Sequence, residues 1–147
     1  MKDGFLLLVE DNPDDEVLTL RAFASRNFAN PVIVVRDGVE ALDFLFARGK
    51  HSDRDPLDLP VLILLDLKLP KVDGLEVLRQ LRANEITRLQ PVVVLTSSSA
   101  ESDILESYKL GANSFVRKPI AYPEFVESVQ QLHLYWLLLN ESPPNRR

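Results

Sequence analysis

The stretch Val-Leu-Ile-Leu-Leu-Asp-Leu-Lys-Leu-Pro, residues 61–70, carries the strongest indication of the fold. Its first five residues are apolar without any polar alternation, which is typical of a strand covered by helices on both faces of a parallel sheet. The run stops at Asp66. An ionised carboxylate is unexpected beside such a run unless it has a partner, because an unpaired buried charge is costly. The stretch therefore predicts a buried parallel strand that ends in a functional acid.

Four further apolar runs have the same character and alternate with segments of helical spacing. They cover residues 5–9, 32–35, 92–95 and 114–116. Five strand–helix units predict a doubly wound α/β fold of the flavodoxin-like type, with a five-stranded parallel sheet in the order 2-1-3-4-5. The fifth helix is predicted to be extended, from about Tyr122 towards Asn140. We expect one domain over residues 1–141 and a disordered tail over residues 142–147.

Helix boundaries have their own signals in the sequence. Asn12 followed by Pro13 predicts the start of the first helix, whose apolar positions are Val17, Leu20 and Ala24. The acids Asp14 and Asp15 are interpreted as first-turn residues that the helix dipole stabilises. Further signals are a C-terminal cap of the second helix at Gly49, a capping box from Ser98 to Glu101, and an end of the fourth helix at Gly111.

Composition limits the classes of function. The chain has 147 residues, of which 46% are hydrophobic, and this suits one domain with a sizeable core. It has no cysteine, which excludes disulfides, thiolate nucleophiles and thiolate metal sites. The net charge of -5 argues against sequence-independent nucleic-acid binding. The apolar run near the N-terminus is too short for a signal peptide or a membrane span, so we expect a cytoplasmic protein.

Polar side chains cluster at the predicted carboxyl ends of the strands. Glu10 and Asp11 follow the first strand, Asp66 the third, Thr96 ends the fourth, and Lys118 follows the fifth. Because the first and third strands are neighbours in this order, the three carboxylates converge in one crevice. Carboxylates that close repel one another, and a hard cation such as Mg²⁺ relieves the repulsion. The sequence therefore predicts a magnesium site at this edge of the sheet.

The same cluster suits phosphoryl transfer to a carboxylate. An aspartate oxygen such as that of Asp66 can act as the nucleophile. The reaction needs in-line positioning and positive charge on the equatorial phosphoryl oxygens, which Lys118 and Mg²⁺ would supply, while Thr96 offers a hydroxyl donor. We expect Thr96 and Lys118 to lie at exposed strand ends, where substitution costs little stability.

These residues, with Pro119 after Lys118, resemble the receiver domain of two-component response regulators. The resemblance covers the chain from Phe5 to about Leu139 and includes three further short motifs. These are Leu69-Pro70 with Asp73-Gly74, Arg36-Asp37-Gly38, and Gly111-Ala112. It implies a CheY-like signalling phosphoacceptor rather than an enzyme, with self-phosphorylation and autodephosphorylation as its only reactions.

The resemblance also implies residue roles and partners. Asp66 would accept a phosphoryl group from a histidine kinase, and Glu10, Asp11, Asp66 and the main-chain carbonyl of Lys68 would hold Mg²⁺. Thr96 and Phe115 would form the switch, and the bond between Lys118 and Pro119 would be cis. Since no output domain is expected, phosphorylation would signal to protein partners through the surface of helix 4, strand 5 and helix 5.

A narrower resemblance is to the stand-alone receivers paired with cyanobacterial and bacterial phytochrome-type kinases. It rests on the sequence of residues 8–12, on the long 49–60 connector and on the extended fifth helix. That helix ends in Leu134, Tyr135, Leu137 and Leu138, which together with Trp136 make its last turns apolar on nearly every side. A homodimer through helix 4, strand 5, helix 5 and the C-terminal helix would bury this excess. The alternative is that the extension packs on its own domain.

Other functions of the same fold remain open at this stage. A phosphatase of the haloacid dehalogenase type also uses an aspartate nucleophile and Mg²⁺, but it needs a second acid where this chain has Lys68. A flavin-binding module needs a first loop that cradles phosphate, whereas residues 10–15 are largely acidic. A pseudo-receiver that binds partners without phosphorylation is a further alternative.

Overall fold

The computed structural model describes residues 4–25, 29–119 and 121–144. Its strands are β1 (Leu6–Val9), β2 (Val32–Val35), β3 (Leu62–Leu65), β4 (Val92–Thr96) and β5 (Ser114–Arg117). Its α-helices are α1 (Pro13–Ala24), α2 (Gly38–Leu45), α3 (Gly74–Ala83), α4 (Glu101–Lys109) and α5 (Tyr122–Leu134). All neighbouring strands are parallel and the sheet order is β2-β1-β3-β4-β5, as predicted.

The sheet separates two apolar layers. Leu7 and Val9 of β1 face a layer that contains residues of α2 and α3, whereas Leu6 and Leu8 face a layer built with α1 and α5. The three central strands are buried along their whole length, which explains their unbroken apolar sequences. The edge strands β2 and β5 are only partly buried, so the prediction of burial on both faces is wrong for them.

Several helix boundaries follow the sequence signals. The side chain of Asn12 accepts hydrogen bonds from the backbone N–H groups of Asp14 and Asp15 and caps α1. Asp37 and Asp73 cap α2 and α3 in the same manner. Gly111, with φ of 96°, follows the end of α4 in the left-handed conformation that glycine adopts easily.

Three local predictions are wrong. The face that α1 buries consists of Thr19, Ala22 and Phe23, whereas Val17 is exposed, because the tilt of the helix and not apolar spacing alone decides which face packs. The left-handed residue directly after the C-cap of α2 is Ala47, whereas Gly49, which is also left-handed, lies further along and begins a short 3₁₀ turn. The capping box at Ser98 is also absent, since Ala100 precedes α4 and offers no side-chain cap.

The long connector between α2 and β3 is ordered around one arginine. The guanidinium of Arg54 lies 3.7 Å from the centre of the Phe44 ring and donates hydrogen bonds to the main-chain carbonyls of Phe44 and Asp58. The guanidinium thus satisfies the Asp58 carbonyl and is a second donor to the Phe44 carbonyl, which also accepts from the backbone N–H of Ala47. The connector is a surface loop, as expected, and Arg54 binds it to α2 through Phe44.

The C-terminal extension packs partly on its own domain. A π-helical segment, Tyr135–Leu139, continues α5 directly. Trp136 and Leu137 of this segment are buried in the layer shared by α1 and α5. Tyr135 and Leu138 remain about half exposed, at 50% and 47%. Packing of the extension on its own domain is therefore confirmed for Trp136 and Leu137, whereas the homodimer through the exposed residues stays a prediction.

Residues 142–144 follow this segment without regular secondary structure, and residues 145–147 of the predicted disordered tail lie outside the described residues. Over the described ranges, we find no helix that is both long enough and apolar enough to cross a membrane.

Candidate functional site

The register of the sheet brings two acids together. Val9 of β1 is paired with Leu65 of β3, so the next residues of these strands, Glu10 and Asp66, lie side by side at the carboxyl edge. The backbone N–H of Asp66 donates to the carbonyl of Val9 at 3.1 Å and continues the ladder beyond the strands. Both side chains are buried, at 2% and 7% exposure. Strand pairing alone therefore places these two carboxylates in one crevice.

The turn into α1 adds the third acid. Glu10 accepts a hydrogen bond from the backbone N–H of Asn12 at 3.2 Å, and Asn12 caps the helix. These two contacts fix the short turn between β1 and α1, on which Asp11 lies. Asp11 is exposed, so it borders the crevice from the solvent side.

The loop after β3 is packed tightly against Asp66. Gly74, the first residue of α3, donates its backbone N–H to the carbonyl of Leu67 at 2.8 Å. A Cβ atom at Gly74 would lie 2.3 Å from the carbonyl oxygen of Asp66, so the position requires glycine. The backbone N–H of Lys68 donates to Oδ1 of Asp66 at 3.2 Å and orients the carboxylate.

Lys118 lies inside the acidic cluster. Its ammonium Nζ donates to Oε1 of Glu10 at 2.5 Å, to Oδ2 of Asp15 at 2.8 Å and to Oδ2 of Asp66 at 3.0 Å. Lys118 is only 7% exposed and Thr96 is fully buried, so the prediction that both occupy exposed strand ends is wrong. Lys118 is enclosed by the three carboxylates that accept its hydrogen bonds.

The sequence interpretation missed the contact between Asp15 and Lys118. The sequence interpretation assigned Asp15 to the helix dipole, together with Asp14. A signal was nevertheless available, because side chains of an α-helix tilt towards its N-terminus, and the N-terminus of α1 lies at this edge of the sheet. An acid in the first turn can therefore reach back to the strand ends.

Burial and pairing shift the pKa values in the cluster. Burial raises the pKa of Glu10 to about 7, with Asp66 acting in the same direction and Lys118 opposing it. Burial alone would lower the pKa of Lys118, but hydrogen bonds to Asp15 and Glu10 outweigh it and raise the pKa above its ordinary value. Lys118 therefore keeps its positive charge, whereas Glu10 takes up a proton more readily than an ordinary glutamate.

The acids fit a divalent cation. One carboxylate oxygen from each of Glu10, Asp11 and Asp66 lies within 4.8 Å of the others. Mg²⁺ binds oxygen at about 2.0–2.1 Å, so two of its ligands are at most about 4.2 Å apart. Adjacent ligands of an octahedral ion are only about 3 Å apart, so the three carboxylates would have to move closer together to share one ion. A cation would also favour the ionised form of Glu10.

Comparison with known proteins agrees with this geometry. The sequence pattern described as "Response regulator receiver domain" matches residues 6–130. The chain belongs to the response regulator receiver family. Receivers of this family are signalling proteins of two-component systems, and the flavodoxin-like fold and the acidic crevice agree with that membership.

Three relatives illustrate the similarity. A crystal structure described as the phosphorylated cyanobacterial phytochrome response regulator RcpA has a TM-score of 0.90 and 36% identity, covering 97% of this chain and 100% of its own. The Mn²⁺-bound form of the response regulator Rcp1 has a TM-score of 0.88 and 35% identity, covering 98% and 100%. Rcp1 is from Synechocystis. The probable methanogenesis regulatory protein FilR2 of Methanothrix harundinacea is 41% identical, covering 97% of this chain and 90% of FilR2.

The remaining receiver residues lie on β4 and β5. Thr96 is paired with Arg117, and Phe115 is paired with Val94 two residues back along the same two strands. Phe115 is partly buried against the apolar layer that contains Val94. Thr96 and Phe115 therefore belong to the same face of the sheet, because residues two apart in a strand share a face.

The bond between Lys118 and Pro119 is trans, since the described part of the chain contains no cis peptide bond. This contradicts the cis bond that the family resemblance implied. The trans form is the intrinsically preferred one for a residue before proline, by about 0.5–1 kcal/mol.

Proposed function

We propose that this response regulator accepts a phosphoryl group from a histidine kinase on Asp66, with Mg²⁺ bound beside it. The observation that carries the proposal is the environment of Asp66. Its carboxylate is buried at a strand end, lies 3.0 Å from the Lys118 ammonium, and shares a possible cation site with Glu10 and Asp11. A nucleophilic oxygen, a fixed cation and a metal site are the parts that phosphoryl transfer to a carboxylate requires.

The metal ligands in this proposal are Glu10, Asp11, Asp66 and the main-chain carbonyl of Lys68. The loop geometry supports Lys68, because its N–H already contacts the Asp66 carboxylate at 3.2 Å. When bound, Mg²⁺ would neutralise part of the negative charge that repels an incoming phosphoryl group. That Rcp1 has a Mn²⁺-bound form supports a divalent cation at the corresponding place.

Thr96, Lys118 and Phe115 complete the proposal. The Lys118 ammonium would bind one phosphoryl oxygen, and the Thr96 hydroxyl another. Movement of Thr96 towards the phosphoryl group would free space on the face that it shares with Phe115, and Phe115 would repack there. Phe115 has no hydroxyl, so its movement would follow packing alone. The surface of α4, β5 and α5 would then change its shape for a protein partner.

The partners we propose are a histidine kinase and a second copy of the chain. The names of RcpA and Rcp1 support a phytochrome-type kinase, whereas the name of FilR2 points to regulation of methanogenesis, so the sensor class is the weaker part of the proposal. The net charge of -5 and the acidic crevice support a cytoplasmic signalling role without nucleic acid or membrane. We also propose residues 1–141 as the receiver domain.

The alternatives have less support. An aspartate phosphatase would need an acid two residues after the nucleophile, and Lys68, which occupies that place, is exposed. A pseudo-receiver would not need Lys118 held among three carboxylates, because such burial of charge is expensive and is expected where the charges do chemistry.

Intact-mass measurement after incubation with acetyl phosphate and Mg²⁺ tests the proposal. We expect wild type to gain the mass of one phosphoryl group, which a chelator prevents and which Asp66→Asn does not gain at that position. Equal labelling of Asp66→Asn, or labelling that is indifferent to chelator, would exclude Asp66 as the metal-assisted acceptor.

A further inference from the structure

One acid contacts the site from outside the group that could hold the cation. Oδ2 of Asp15, the third residue of α1, lies 2.8 Å from Nζ of Lys118. Among the described residues, the carboxylates close enough to share a cation are Glu10, Asp11 and Asp66, and Asp15 is not one of them. We infer that Asp15 is a positioning residue that holds the Lys118 ammonium towards Asp66. This inference rests on the proposed phosphorylation of Asp66.

The reasoning starts from the three N–H donors of the ammonium group. Each one is used, and the three acceptors are Glu10, Asp15 and Asp66. Glu10 and Asp66 are also metal ligands in the proposed function. An oxygen that is drawn towards a cation is a weaker partner for Lys118, so cation binding loosens two of its three contacts. The contact with Asp15 is the one that cation binding leaves in place.

The geometry indicates that Asp15 holds Lys118 beside Asp66 and does not draw it away from Asp66. Lys118 contacts Asp15 at 2.8 Å and Asp66 at 3.0 Å at the same time. The ammonium therefore reaches the phosphoacceptor without leaving Asp15. Its third donor, which now serves Asp66, would pass to a phosphoryl oxygen attached to that residue. Asp15 thus fixes the long and otherwise flexible lysine side chain in the position where its charge is needed.

The local sequence keeps Asp15 in this position. Its backbone N–H donates to the side chain of Asn12 at 3.1 Å, and that cap fixes the first turn of α1. Its side chain is 28% exposed, so it enters the crevice from its rim. Asp14 is the neighbouring acid in the same turn, is exposed, and is not an acceptor of Lys118. Asp14 is therefore a matched control for charge and for position in the helix.

Beryllofluoride, which stands in for a phosphoryl group on a carboxylate, provides the test. Its affinity would be measured by ¹⁹F NMR at saturating Mg²⁺ for wild type, Asp15→Ala, Asp15→Asn and Asp14→Ala. We expect Asp15→Ala to bind about ten-fold more weakly, as for loss of one hydrogen bond to a charged group, and Asp14→Ala to bind as wild type does. Asp15→Asn keeps the size of the side chain and would give an intermediate loss.

A double substitution separates positioning from a general effect of charge. In a Lys118→Ala background, Asp15→Ala should weaken beryllofluoride binding no further, because its effect passes through the ammonium. An Asp15→Ala protein that binds as tightly as wild type, or more tightly, would overturn the inference. So would the same ten-fold loss in both backgrounds. If Asp15→Ala does not fold, Asp15→Asn alone is compared with wild type by the same criteria.

Failure of the inference is distinguishable from failure of the proposed function. A wild-type protein that neither binds beryllofluoride nor gains phosphoryl mass contradicts the proposed function, and the inference falls with it. A wild-type protein that does both, with Asp15→Ala indistinguishable from Asp14→Ala, contradicts the positioning role alone.

Discussion

At the scale of the residue, Lys118 holds the site together electrostatically. It is buried and donates to three carboxylates on three separate elements, whose mutual repulsion it reduces. Removing one member of a buried charge group leaves the others uncompensated, which typically costs 3–5 kcal/mol. Glu10 can take up a proton because burial has raised its pKa to about 7, and this limits the cost.

Lys118→Ala should therefore be destabilised in the presence of a chelator, by about 2–3 kcal/mol, and should recover part of this loss with Mg²⁺. Asp66→Asn should instead gain stability without metal, because it removes a buried charge from the acidic crevice. Urea unfolding with and without Mg²⁺ measures both effects. Lys109→Ala serves as a control, since Lys109 forms only an exposed pair with Glu106. A Lys118→Ala protein as stable as Lys109→Ala in chelator would contradict this view of the site.

The sequence was sufficient to predict Asp66, Glu10 and Asp11 as a cluster, because strand order alone brings the ends of β1 and β3 together. It was not sufficient to predict the burial of Lys118 or its contact with Asp15. Those depend on how the loops close over the strand ends and on the direction in which α1 leaves the sheet. The tilt of helical side chains made the Asp15 contact possible but did not decide it, and the burial of Lys118 is not encoded in residue types at fixed spacing.

At the scale of the element, apolar periodicity predicted the central strands better than the helices. A central strand is buried on both faces, so its residues are apolar up to the strand end, where Thr96 of β4 is the exception, and the pattern is clear. A helix such as α1 buries a narrow face that includes Thr19, a polar residue whose hydroxyl is satisfied by the carbonyl of Asp15 at 2.7 Å. Apolar spacing alone therefore placed the wrong face of α1 against the sheet.

The fifth helix contains a buried titratable residue whose effect on stability can be predicted. Burial lowers the pKa of His133 to about 4 from its ordinary value of 6.5, and the centre of its ring lies 5.7 Å from that of Phe23. Between these two pH values the unfolded chain binds a proton that the folded chain does not. The stability contributed at His133 is therefore present above pH 6.5 and is lost as the pH falls towards 4.

Between pH 6.5 and 4, the free energy of unfolding of His133→Gln should fall less than that of wild type. The difference is at most about 1.4 kcal/mol for each pH unit. Denaturant unfolding across this range gives the difference. Glu10 has the opposite sign, because its raised pKa favours the folded state at low pH. The effect of His133 is therefore the difference between the pH profiles of wild type and His133→Gln, since both proteins contain Glu10. If the free energies of unfolding of the two proteins change in parallel with pH, His133 does not determine the loss of stability at acidic pH.

At the scale of the whole molecule, the apolar surface of the C-terminal segment bears on assembly. Trp136, which the sequence interpretation included in the apolar excess that an interface would bury, is buried in the protein's own core, whereas Leu138 and Leu139 are 47% and 67% exposed. On α4, Leu105 and Tyr108 are also exposed, and α4 and α5 precede and follow the edge strand β5 in the chain. These exposed residues, and not Trp136, are the side chains that a homodimer would cover.

We expect wild type to sediment as a dimer, and Leu138→Glu with Leu139→Glu to sediment as a monomer, because charges cannot be buried unpaired in an interface. Leu89→Glu is the matched control, since Leu89 is 48% exposed on the segment before β4. Sedimentation velocity over a range of concentrations, with and without phosphodonor, provides the measurement. A monomeric wild type in every condition, or a dimeric double variant, would contradict the proposed interface.

The central claim is that Asp66 is the phosphoacceptor, and locating the acyl phosphate within the chain tests it most directly. Borohydride reduces an aspartyl phosphate to homoserine, which peptide mass spectrometry can assign to one position. After acetyl phosphate and Mg²⁺, we predict homoserine at position 66 and none in a sample prepared with chelator. Homoserine at position 11 or 15, or none anywhere despite an intact fold, would contradict the account.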